Sequence, residues 1–159
     1  METAPPPEAF GHVIFCDDIR NEIGNKLTFV GCYFGDMLIT SDFPAVIPRF
    51  CLAVDYSQQR GKIIMPIKFV VFLPGDPEDK PSIEFGTPQE VNEAVLAQAE
   101  ARTVALGGSP DFATFAAQVG LGNLPIPEPG VMKVRAIRGE QLIRLGSLRI
   151  SRAPQAAGK

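Results

Sequence analysis

The sequence predicts a mainly β domain: an antiparallel β-sandwich with the two-sheet architecture of immunoglobulin-like domains, carrying a helical insertion around residues 87–120. Three observations predict it. Short apolar runs recur along the chain with turn residues between them. One run, Lys62 to Leu73, alternates in side-chain character with period two. Strands do not alternate with helices in the way that builds a parallel sheet. The 15 Gly and 15 Pro are scattered, so they read as turns between short elements. A length of 159 residues suits one domain with an adequate core. That domain is expected over residues 10–151, between a flexible N-terminus (1–9) and a disordered tail (152–159).

His12-Val-Ile-Phe-Cys16 reads as a first strand, ended by Asp17-Asp18. Residues 19–25 are polar and close on Gly24-Asn25, a pair suited to a turn with positive φ. Lys26 to Phe34 is the next strand, and Gly35-Asp36 before Met37-Leu-Ile-Thr40 predicts a hairpin. Ile47 to Tyr56 follows, with Pro48 expected at a strand start or a sheet edge. After a turn at Gln58 to Gly61, Lys62 to Leu73 is the longest predicted strand. It presents Ile63, Met65, Ile67, Phe69, Val71 and Leu73 on one face, and Pro66 predicts an edge or a bulge.

Thr87-Pro-Gln-Glu90 has the pattern of a helix start, Ala-rich sequence runs to Leu106, and Gly107-Gly108 supplies a stop. Ser109-Pro-Asp predicts a second helix with Phe112, Phe115 and Val119 in one stripe, and residues 122–130 a loop. Val131 to Arg138 is a strand with Met132, Val134 and Ala136 inward and Lys133 and Arg135 outward. Gly139-Glu140 turns the chain into Gln141 to Ile150. There the alternation changes phase, which predicts a β-bulge at Gly146-Ser147.

Charge is unevenly placed. Residues 131–159 hold seven bases (Lys133, Arg135, Arg138, Arg144, Arg149, Arg152, Lys159) and one acid, Glu140, leaving +6. The remaining 8 bases and 17 acids leave −9. Lys133, Arg135, Arg144 and Arg149 form a candidate contact surface for a protein partner or a second copy. Acidic pI and the lack of interleaved aromatics argue against nucleic acid. Asp17, Asp18 and Glu22 are the candidate metal ligands, although their spacing matches no calcium loop. Asp17, Asp18, Arg20, Glu22, Asn25 and Lys26 are expected to form a polar network fixing the first connection.

No nucleotide-binding fingerprint, nucleophile elbow or paired-cysteine motif is present, and His12 is the one histidine. No catalytic residue, cofactor or membrane contact is therefore assigned. Cys16, Cys32 and Cys51, each set among apolar residues, are expected to be buried structural thiols of a cytoplasmic protein, since no signal peptide precedes them.

The stretch H-V-I-F-C-D-D-I-R-N-E-I-G-N-K-L-T-F-V-G-C-Y-F-G-D-M-L (12–38), together with R-L-G-S-L-R-I (144–150), resembles a family of uncharacterised bacterial and phage-associated proteins. The resemblance implies a domain of unknown function and transfers no catalytic residue. The expected function is a non-enzymatic sandwich acting through protein contacts or assembly. The alternative is a small hydrolase or metal-dependent enzyme using the acidic strand ends.

Overall fold

The computed structural model describes residues 4–86, 93–109 and 111–155. Its strands are β1 (Ala9–Cys16), β2 (Asp18–Glu22), β3 (Lys26–Val30), β4 (Asp36–Ile39), β5 (Ala45–Gln59), β6 (Ile67–Phe72), β7 (Ile83–Gly86), β8 (Phe112–Ile126), β9 (Gly130–Arg138) and β10 (Gln141–Arg152). A single helix, α1 (Glu93–Ala105), lies between β7 and β8 among the described residues. One sheet has the order β1-β5-β8, a second β4-β10-β9-β6-β7, and β2-β3 form a separate ribbon. Pairing is antiparallel throughout except for β4 with β10. The fold is thus mainly β and sandwich-like, as the sequence predicts.

Alternation places the core. Phe50, Leu52, Val54 and Tyr56 of β5 are all fully buried. They share one hydrophobic core with Ile67, Phe69 and Val71 of β6 and Met132, Val134 and Ala136 of β9. The Tyr56 and Phe69 rings meet edge-on across the sheets at 5.9 Å. The helix covers the other face of the first sheet, where Thr103 Oγ1 donates to Thr114 Oγ1 of β8 at 2.9 Å. Order by layer is therefore helix, three-stranded sheet, five-stranded sheet. At one side the sheets come close, and two glycines permit it. A Cβ on Gly146 would stand 2.5 Å from Val13 Cγ1, and one on Gly11 would stand 2.8 Å from Leu145 Cδ2.

Several expectations need correction. Residues 112–126 are not helical: they form β8, paired along nearly the whole of β5. The apparent Phe112–Phe115–Val119 stripe divides between the two faces of a strand. Phe112 meets the Phe10 ring at 5.3 Å, whereas Phe115 joins the core. The need of β5 for a second neighbour outweighs local helical spacing. The helix start at Thr87-Pro-Gln-Glu90 lies outside the described residues. Gly35-Asp36 makes no hairpin. Instead, β3 turns back on β2 through Gly24-Asn25, both at positive φ, and β4 departs to join β10. Within Lys62 to Leu73 only Ile67–Phe72 is strand; a 3-10 turn at Arg60–Lys62 and a cis Met65–Pro66 bond precede it. Pro66 thus stands outside the ladder, and β6 is an inner strand between β9 and β7.

Cys32 is exposed, unlike Cys16 and Cys51, β3 stops at Val30, and β8 takes up residues 122–126 of the predicted loop. Two further readings hold. Pro48 lies in the part of β5 beyond the β1 ladder, which spans Cys51 to Gln58. The β9–β10 hairpin turns at Gly139, φ 57°. Its register slips between Arg144 and Gly146, so Leu145 is the extra residue, just before the predicted bulge.

Candidate anion-binding cleft

Strand β9 alternates without fault: Met132, Val134, Ala136 and Arg138 are buried, and Lys133 and Arg135 point to the outer face. The hairpin then sets Arg144 directly opposite Arg135. Like charges facing one another across a ladder destabilise it, so this pair works against the fold. Both arginines and Lys133 line a cleft of about 460 Å³, with Phe72, Leu73 and Val131 supplying apolar wall.

Arg135 is held in place. Its Nη1 donates to the Val134 carbonyl at 2.8 Å and to the Gly146 carbonyl, at the bulge, at 3.1 Å. Burial, and then the charge of Arg144, push its pKa below that of an ordinary guanidinium. Two acids also line the cleft. Asp76 is occupied within its own loop, accepting from the Leu73 N–H (2.8 Å), the Ser82 N–H (2.9 Å) and the Ser82 hydroxyl (2.8 Å). Glu78 is exposed.

The other arginines behave differently. Arg20 and Arg49 pair with Asp18, Arg60 with Glu100, Arg102 with Asp55, Arg138 with Glu8, Arg149 with Asp36 and Arg152 with Asp42. Among the described residues, Arg135 and Arg144 are the arginines without a carboxylate, and Lys133 has none either. The seven bases of the C-terminal segment therefore divide. Arg138, 2% exposed, belongs to the core. Arg149 and Arg152 are neutralised, and Lys159 lies outside the described residues. Of the four predicted contact residues, the structure gathers Lys133, Arg135 and Arg144 and sets Arg149 apart on Asp36.

The acidic residues near the first connection are distributed among local partners. The Tyr33 hydroxyl donates to Asp17 Oδ1, and burial, then this bond, raise the Tyr33 pKa. Asp18 lies 3.3 Å from Arg20 and 2.5 Å from Arg49 of β5. Glu22 accepts from Thr28 Oγ1 at 3.0 Å and stands opposite Lys26. Asn25 occupies the turn at φ 57°. No group of three or more His, Cys, Asp or Glu side chains is arranged to hold a metal among the described residues.

A second, smaller cavity of about 200 Å³ lies between α1 and the first sheet, with Asp55, Ser57, Thr114 and Thr103 in its lining. In the sequence His12 stands at a strand start with no Ser or Cys motif nearby. The ladder brings His12 opposite Asp55, with Nε2 3.6 Å from Oδ2. The two-residue spacing of Asp55 and Ser57 was the available signal. Ser57 Oγ bonds Thr114 Oγ1 at 2.7 Å rather than an imidazole, so no nucleophile–base pair is formed.

No curated protein and no solved structure matches the chain. The profile of DUF6941, described as a family of unknown function, matches residues 12–151, which span the β1–β10 framework and the cleft. On that match, the chain belongs to the DUF6941 family.

Proposed function

We propose that this protein is a non-enzymatic binding module whose outer cleft, formed by Lys133, Arg135 and Arg144, holds an acidic segment of a partner protein. One observation carries the reading: two arginines lacking carboxylates face each other in register, while every other arginine is paired. A fold that gives seven guanidiniums a carboxylate partner and leaves two opposed is arranged for an external anion. Apolar walls beside the cations suit a peptide, which offers both kinds of side chain. A second copy of this chain is one such partner, since the rest of the molecule carries −9. The resemblance of residues 12–38 and 144–150 to bacterial and phage-associated proteins is the support for making it a subunit of such an assembly. Three free cysteines fit a cytoplasmic setting.

Fluorescence anisotropy with a labelled hexaglutamate peptide ending in leucine tests this. Binding is expected at low salt, weakening as salt rises. It should be lost in Arg135→Gln/Arg144→Gln. No binding at 50 mM salt, or equal binding by the double variant, overturns the proposal. Tighter binding of a DNA oligonucleotide than of the peptide transfers the cleft to nucleic acid and overturns it equally.

A further inference from the structure

We infer that the group held between Arg135 and Arg144 is a phosphoryl group on a side chain of the partner, so that the cleft reads a phosphorylated peptide. The inference rests on the cleft being the partner-binding surface and names the chemistry of its occupant.

Geometry comes first. Residues directly opposite in an antiparallel ladder have Cβ atoms about 4.5–5.5 Å apart. Two guanidiniums starting from such positions can close on one small group from both sides. The double tether of Arg135 Nη1 to backbone carbonyls fixes the plane of its fork and leaves Nε and Nη2 for a ligand. A fixed planar fork is the donor geometry that phosphate oxygens accept bidentately. The bulge thereby acquires a task, because the Gly146 carbonyl it displaces is one of the two tethers.

Charge comes second. One carboxylate neutralises one of the two opposed cations and leaves the other facing it, with Lys133 two residues along the same face. A phosphoryl group carries about −1.5 to −2 charges at pH 7 and three acceptor oxygens, enough for both guanidiniums. Burial, and then the charge of Arg144, lower the Arg135 pKa, and a bound anion offsets the second of these. Asp76 does not compete, since its three hydrogen bonds hold it in its loop. Phe72, Leu73 and Leu142 then offer apolar wall beside the anion site. That combination favours a peptide with a hydrophobic neighbour over a free anion.

The experiment compares four probes on the intact chain: a phosphoserine peptide with a leucine at the next position, the same peptide with Glu or with Ser in place of phosphoserine, and inorganic phosphate. The phosphoserine peptide is expected to bind at least tenfold more tightly than the Glu peptide. Its affinity should rise from pH 5 to pH 7 as the phosphate loses its second proton near pH 6. Arg144→Gln is expected to bring it down to the Glu level. Lys133→Gln, at an exposed site, supplies a second variant should Arg144→Gln prove unstable. Equal binding of the phosphoserine and Glu peptides overturns the phosphoryl inference and leaves the acidic-segment reading standing. Failure of both overturns both. Inorganic phosphate competing as tightly as the phosphopeptide overturns the peptide and reduces the cleft to a small-anion site.

Discussion

Arg135 and Arg138 are three residues apart on β9, and the parity of that spacing gives them opposite fates. The sequence pattern shows this directly, since Met132, Val134 and Ala136 define an inward phase that Arg138 shares. What satisfies Arg138 is not visible there. Its guanidinium donates to Gln58 Oε1 (2.9 Å), Gln141 Oε1 (2.6 Å), Glu8 Oε2 (3.3 Å) and the Lys62 carbonyl, groups spread along the whole chain. A buried cation so fully bonded is costly to remove, because its partners are left buried and unpaired. Arg138→Ala is expected to cost about 3 kcal/mol, a loss of roughly 6–12 °C in a domain of this size, read by calorimetry. A change under 2 °C would show that the bonds contribute little. The cleft residues were legible in the same partial way. Their outward phase and basic character could be read, but the absence of carboxylate partners depends on where Asp36 and Asp42 fold.

The β9–β10 hairpin is the element most fully written in the sequence. Gly139-Glu140 marks its turn and the phase change near Gly146 marks its bulge. Strand β8 was least legible: Gly120, Gly122 and Pro125 weaken its strand signal, and β5, its partner, begins 67 residues before it. The bulge joins stability to binding. Gly146→Ala would press a methyl group against Val13 at the close approach of the sheets. The expected cost is about 1–3 kcal/mol. Shifting the Gly146 carbonyl should also loosen Arg135, so affinity for the phosphoserine peptide is expected to fall in the same variant. Lost stability with unchanged affinity would show that the carbonyl does not position the guanidinium.

For the whole molecule, the N-terminal segment acts as a strap. Glu8 lies 2.5 Å from Lys62 and 3.3 Å from Arg138, and its carbonyl accepts the Gln59 N–H at 2.8 Å. The hydrogen bond from Lys62, and then its charge, hold the Glu8 carboxyl below its ordinary pKa of 4.5. A depressed carboxylate pKa stabilises the folded state above the unfolded value, and the contribution is lost as pH falls through the folded value. Acidification below pH 4.5 is therefore expected to release the strap before the core opens. The Gln59 amide should lose exchange protection while Val71 keeps its own. Simultaneous loss at both positions would show that the strap has no separate transition.

The parallel pairing of β4 with β10 also governs how the molecule comes into being. Asp36 and Arg149, joined across that pair, are 113 positions apart. During biosynthesis β4 emerges long before the strand that covers it, carrying Leu38 and a row of unpaired backbone groups. The five-stranded sheet can be assembled only after β9 and β10 have been made, so long-range closure is a late event and slows folding. The nascent chain thus passes through a stage with an open edge, when pairing with another polypeptide competes with completion of its own sheet.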